Sequence, residues 1–170
     1  MIMNAECNWY ALYVKSRHEF VTQGELSRKQ ITTFLPSVKK TRQWKDRKKF
    51  IQFPLFPGYV FVYIQAKPDE FTNVLKTRGA VHLLSTETGY PTPVSSEEIN
   101  SLKLILESGQ AIDIYPNLKK GTSVRVKRGP LAGAEGIISN KVDQYIFVVN
   151  IDMLGRSIGV RISADDIESA

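Results

Sequence analysis

The sequence predicts an α+β protein: an N-terminal domain with an antiparallel sheet flanked by helices, then a small all-β barrel. Three observations carry this. Two aromatic and β-branched runs, Trp9–Val14 and Tyr59–Ile64, have strand character with no Gly or Pro inside. Helical patterns separate or follow them near residues 18–30, 68–76 and 95–109. From Thr122 onward the texture changes to four short β-rich runs divided by Gly, Asn and Asp. A chain of 170 residues accommodates one ordinary domain or two small ones. The division expected here is residues 1–108, a linker at 109–118 carrying Gly109, Pro116 and Asn117, and residues 119–170.

The elements follow in order. Trp9–Val14 reads as the first strand. A helix over about 18–30 has Phe20, Val21 and Leu26 as its expected apolar stripe, with Gly24 costing ~1 kcal/mol relative to Ala. Thr32–Leu35 is extended and stops at Pro36. Residues 39–49 read as a basic hairpin or loop. In Tyr59–Ile64, Tyr59, Phe61 and Tyr63 alternate with Val60, Val62 and Ile64, so a strand sends the aromatic set to one face and the aliphatic set to the other. Pro68-Asp69-Glu70 suits a helix N-terminus, with Phe71, Val74 and Leu75 as its apolar side. Ala80–Leu84 is a short strand and Gly89–Pro93 is turn material. Ser95-Ser96-Glu97-Glu98 fits a reciprocal capping box. Ile99, Leu102, Ile105 and Leu106 then form a helical stripe ending near Gly109.

Composition removes several functions. A single cysteine, Cys7, permits neither an internal disulfide nor a cysteine metal cage. The two histidines, His18 and His82, are far apart in sequence, which disfavours zinc. A reducing, cytoplasmic setting is the simplest expectation. Residues 1–11 lack a signal-peptide pattern. The longest uncharged run, Phe50–Ala66, is broken by Pro54, Pro57 and Gly58 and makes a poor membrane span. There is no Gly-x-Ser-x-Gly, no Walker loop and no His pair at helical spacing. The Gly129/Gly133/Gly136 loop lacks dinucleotide-binding spacing, and Asp165-Asp166 reads as a solvated turn. No catalytic residue, cofactor or metal is expected.

The charge distribution is more informative. The net charge is +6, from 23 Lys and Arg against 17 Asp and Glu. Residues 39–49 hold seven cations, Lys39, Lys40, Arg42, Lys45, Arg47, Lys48 and Lys49, against Asp46 alone. That surplus equals the whole net charge; elsewhere 16 basic residues balance 16 acidic ones. Such a run is a solvated face or a phosphate-binding surface. In the second case Trp44 is available to stack on a base.

Two motifs resemble a known family. Lys120-Gly121-Thr122-Ser123-Val124-Arg125-Val126-Lys127-Arg128-Gly129-Pro130-Leu131-Ala132-Gly133-Ala134-Glu135-Gly136-Ile137-Ile138 resembles a KOW motif, with Gly136 suited to a sharp bend. Trp9–Lys15 and Pro54–Val62 resemble the two hallmark strands of an NGN domain; Arg78-Gly79-Ala80-Val81 and Pro93–Ile99 fall where that domain has them. The order NGN, linker, KOW is that of the NusG family. The Pro-Leu-Phe-Pro form at 54–57 and the basic tract are nearer its specialised RfaH and UpxY paralogues.

The resemblance implies a monomeric bacterial transcription elongation and antitermination factor that suppresses pausing. It implies that the clamp helices of RNA polymerase bind Tyr13, Phe56, Tyr59 and Phe61. Lys15, Arg17 and the 39–49 cluster, with Trp44, would meet DNA at the transcription bubble. The segment Asp69–Thr72 lacks the Thr-rich motif of RfaH. In the second domain the contact loop matches Met153, Leu154, Gly155 and Arg156, for Rho or a small-subunit ribosomal protein. The alternative is a KOW-bearing RNA-binding or ribosome-associated protein.

Overall fold

The computed structural model describes residues 6–87, 89–116, 121–141 and 144–170. It contains two compact units, Met1–Pro93 and Val94–Ala170. Residues 117–120, where the expected linker ends and the KOW-like motif begins, lie outside the described residues.

The first unit runs β1 (Cys7–Val14), α1 (Glu19–Arg28), β2 (Thr32–Phe34), β3 (Ser37–Trp44), β4 (Arg47–Pro54), β5 (Tyr59–Gln65), α2 (Pro68–Leu75) and β6 (Ala80–Leu83). Four strands form one antiparallel sheet in the order β2-β5-β1-β6. Strands β3 and β4 form a separate two-stranded hairpin. Period-two alternation decides what the sheet buries. Tyr10, Leu12 and Val14 of β1 and Val60, Val62 and Ile64 of β5 make one face, packed with Leu26 of α1 and Val74 of α2. Each fully buried aliphatic side chain contributes about 1.5–3 kcal/mol. The Tyr10 ring meets Phe71 edge-on at 5.3 Å, and burial raises the Tyr10 phenol's pKa.

Helix α1 departs from the expected stripe. Phe20 and Val21 are solvent-facing, and the buried residues are Glu19, Thr22 and Leu26. The physical reason is hydrogen bonding. The Glu19 carboxylate accepts from the Gly58 N–H at 2.8 Å, and the Thr22 hydroxyl donates to the Arg78 carbonyl at 2.8 Å. In α2, Val74 is buried but Leu75 is exposed.

The second unit contains α3 (Ser96–Glu107), β7 (Asp113–Pro116), β8 (Thr122–Val126), β9 (Glu135–Lys141), β10 (Gln144–Ile151), β11 (Arg156–Arg161) and β12 (Ile167–Ser169). Its six strands form an antiparallel sheet in the order β12-β8-β9-β10-β11-β7. The unit starts earlier than the expected linker because α3 packs on β9 and β10. Residues 113–116 of that tract are a strand paired with β11 rather than a free connection. Ile99, Leu102 and Ile105 are buried as the stripe predicts, and the Ser101 hydroxyl accepts from the Glu135 N–H at 3.0 Å.

Only half of the expected capping box forms. The Ser95 hydroxyl accepts from the Glu98 N–H at 3.4 Å, but it donates to Glu97 at 2.7 Å, which lowers the Glu97 pKa. The Glu98 carboxyl faces Asp152 instead. Gly136, the glycine expected at a bend, has a steric role. It lies inside β9, where an added Cβ would strike the Val148 carbonyl and come within 3.0 Å of the Phe147 ring. Close strand approach requires glycine there.

Candidate functional site

Opposite the hydrophobic core, the first unit's sheet presents an aromatic face. Trp9, Ala11 and Tyr13 of β1 pair with Tyr63, Phe61 and Tyr59 of β5. Phe34 of β2 pairs with Phe61, and His82 of β6 pairs with Tyr13. The rings form two groups. Trp9 lies 5.1 Å from Tyr63 and 6.4 Å from Phe34, which stacks on Phe61 at 6.1 Å. Tyr13 lies 5.5 Å from Tyr59 and 5.2 Å from His82. The face predicted from alternation in β5 is therefore wider than the sequence alone indicates. Trp9, Phe34 and His82 join it through strand pairing, which leaves no local signal.

The four aromatic residues singled out from sequence divide into two kinds. Tyr13 is 37% exposed and Tyr59 is partly exposed, whereas Phe61 and Phe56 are buried. The structure brings Tyr13 and Tyr59 together. Phe61 packs with Phe34, and the Phe56 carbonyl accepts the Tyr59 N–H at 3.2 Å. Of the four, the two tyrosines are accessible from solvent and the two phenylalanines are not.

Two glycine turns frame this end of β1. The Val14 N–H donates to the Gly58 carbonyl at 2.9 Å, and the Lys15 N–H donates to the Gly79 carbonyl at 2.8 Å. Both glycines have positive φ, +89° and +87°, where a side chain is strained. Lys15 and Arg17 are exposed on the turn that follows β1, apart from the hairpin in sequence.

The basic tract is the β3–β4 hairpin, turning at Lys45-Asp46. Its register sorts the cations by face. Arg42 pairs with Lys49, Trp44 with Arg47, and Lys40 with Ile51, so Lys40, Arg42, Arg47 and Lys49 share one face with Trp44. Lys39 and Lys48 share the other face with Phe50. Trp44 is 60% exposed and Phe50 is 74% exposed. Like charges directly across a ladder, as at Arg42 and Lys49, repel. Among the described residues the ion pairs are Arg28–Glu25, Arg125–Glu135 and Arg128–Asp166, and none uses a hairpin cation. Lys40 lies 5.7 Å from the centre of the Phe53 ring. The hairpin thus presents uncompensated positive charge to an anion.

In the second unit, Met153 and Leu154 sit in a 3-10 turn, Asp152–Leu154, between β10 and β11. Gly155 closes the turn in the left-handed conformation, φ 58°. Met153 and Leu154 are half-buried; Gly155 and Arg156 are exposed. The Glu98 carboxyl faces this turn. Burial, and then the Asp152 charge, raise its pKa to about 7, although an Asp152 backbone hydrogen bond opposes the shift. Among the described residues no group of His, Cys, Asp and Glu side chains is arranged to hold a metal, and no helix is long and apolar enough to cross a membrane.

A family model described as "Transcription termination factor nusG" matches residues 7–103. The match runs into α3, so the sequence module and the first compact unit end at different residues. The Transcription termination/antitermination protein NusG of Staphylococcus aureus is 28% identical, covering 94% of each chain. Its counterpart from Halalkalibacterium halodurans is 26% identical over 96% of this chain and 98% of its own length. The solved structure of Thermotoga maritima NusG superimposes with a TM-score of 0.51 at 21% identity, covering 96% of this chain and 97% of that one, and supports the fold. The chain belongs to the NusG family of transcription termination and antitermination factors, which work by binding and not by covalent chemistry.

Proposed function

We propose that this chain is a cytoplasmic elongation and antitermination factor of a specialised NusG type, acting on selected operons. Its first domain docks on the clamp helices of RNA polymerase through Tyr13 and Tyr59, with the buried Phe56 and Phe61 flanking Tyr59 in the chain. By favouring one polymerase conformation it suppresses pausing. The observation that supports this best is the Tyr13–Tyr59 pair, accessible on an aromatic sheet face that also exposes Tyr63 and His82. Aromatic side chains with a polar tip are well suited to protein interfaces.

The hairpin contacts DNA at the transcription bubble in this reading. Lys40, Arg42, Arg47 and Lys49 supply phosphate contacts, Trp44 stacks on an unpaired base, and Lys15 and Arg17 extend the basic surface. The turn carrying Met153, Leu154, Gly155 and Arg156 recruits Rho or a small-subunit ribosomal protein. A single-round transcription assay tests the proposal. The parent chain shortens pauses; Tyr13→Ala with Tyr59→Ala abolishes the effect. If the tyrosine variant acts as the parent while RNA affinity depends on the KOW-like domain, the RNA-binding reading replaces this one.

A further inference from the structure

We infer that Glu19 is a positioning residue for the Tyr13–Tyr59 pair, acting through the backbone of Gly58. The inference rests on the proposed docking role of those tyrosines.

Helix α1 spends its inward first turn on polar groups. Phe20 and Val21 face solvent, while Glu19 is only 6% exposed and Thr22 is fully buried. Burying a carboxylate is costly unless it is well paired. A helix that merely covered the sheet would turn its apolar neighbours inward. What the arrangement provides instead is a hold on a single residue, through the peptides on either side of it. The Glu19 carboxylate accepts from the Gly58 N–H at 2.8 Å, and the Gly58 carbonyl accepts from the Val14 N–H at 2.9 Å.

Gly58 is thereby fixed on both sides, against α1 and against the end of β1. It lies against the Tyr13 ring and immediately precedes Tyr59. Its φ is +89°, and a Cβ there would sit 3.2 Å from the Tyr13 ring. Tyr59 follows it in the chain, with its ring 5.5 Å from that of Tyr13. Releasing the Gly58 N–H would free the turn on which Tyr59 starts and against which Tyr13 rests. A preorganised pair loses less freedom on binding than a loose one.

Thr22 offers an internal control. It is buried on the same helix and makes a bond of still longer range, but to the Arg78 carbonyl. Loss of that bond disturbs the other turn.

The test measures binding of the full chain to core RNA polymerase, with amide exchange at Gly58 followed by NMR. Glu19→Ala is expected to weaken polymerase binding about tenfold and to accelerate Gly58 exchange, with hairpin affinity for DNA unchanged. Glu19→Gln, which keeps an acceptor oxygen, restores binding to within about threefold. Thr22→Val stays within about threefold of the parent. Gly58→Ala, which strains the same turn without touching α1, reproduces the Glu19→Ala loss and covers the case in which that variant does not fold. Parent-like binding by a folded Glu19→Ala overturns the inference whatever Gly58→Ala does, and where Glu19→Ala does not fold, parent-like binding by Gly58→Ala overturns it. So does a Thr22→Val loss as large as that of Glu19→Ala, which would mark general destabilisation. Tyr13→Ala with Tyr59→Ala run alongside separates the two claims: parent-like binding there removes the docking reading and this inference with it.

Discussion

Individual residues carry much of the specificity in this chain, and several do so against local expectation. Gly136 is one. An alanine there would push into the Val148 carbonyl and the Phe147 ring, both fixed inside the strand pairing. Gly136→Ala is expected to destabilise the second unit by about 2–3 kcal/mol, read as a lowered midpoint in urea. Glu98 is another. Its carboxyl titrates near 4.5 when unperturbed and at about 7 in the fold. Between those values the folded chain holds the proton more tightly than the unfolded chain. Stability therefore falls as pH rises from about 4.5 to about 7, and is level above that. Partial exposure reduces the effect to about 1–2 kcal/mol. Glu98→Gln should flatten the pH dependence of urea melts and stabilise the protein at pH 8. The capping-box pattern at Ser95–Glu98 could not reveal this, because Asp152 lies far along the chain and meets Glu98 only through packing.

At the scale of elements, legibility followed the range of the forces involved. The alternation in β5 is local, and it correctly separates the aliphatic core face from the aromatic one. The buried stripe of α3 is equally local. Helix α1 departs from its local apolar pattern because its inward face is chosen by partners 39 and 56 residues away, at Gly58 and Arg78. Phe20→Ser and Val21→Ser are accordingly expected to change stability by no more than about 0.5 kcal/mol, while Leu26→Ala costs about 2–5 kcal/mol in the same urea titration. Strand β7 lacks a local signal for a similar reason: it exists by pairing with β11. The hairpin was legible as a basic element but not as a two-faced one, since face follows from register and register from the position of the turn. Removing Lys40, Arg42, Arg47 and Lys49 should lower the slope of log affinity for DNA against log salt by about 3. Removing Lys39 and Lys48 should lower it by less than about 1.

Across the whole molecule, a positive balance that looks diffuse in composition is a single hairpin. The 17 uncharged residues beginning at Phe50 lead from that hairpin into the aromatic face of β5. Uncompensated positive charge and an aromatic sheet face therefore lie next to each other in the sequence. The first unit divides them between a separate two-stranded ladder and a four-stranded sheet. The NusG-like order of motifs was visible in sequence because turn glycines and strand alternation are written locally. The split of the aromatic set into accessible tyrosines, Tyr59 only partly so, and buried phenylalanines was not, since burial depends on neighbours brought by the fold. It changes which substitutions are informative: Phe56→Ala removes buried packing at about 3–5 kcal/mol and confounds binding with stability. The tyrosines avoid that problem. The decisive measurement is the dissociation constant of the full chain for core RNA polymerase, with and without Tyr13→Ala and Tyr59→Ala, at a temperature where both proteins are folded. Docking through the tyrosine pair requires the double variant to bind about 100-fold more weakly. Binding within about threefold of the parent, on a protein with an unchanged melting transition, would place the polymerase contact elsewhere.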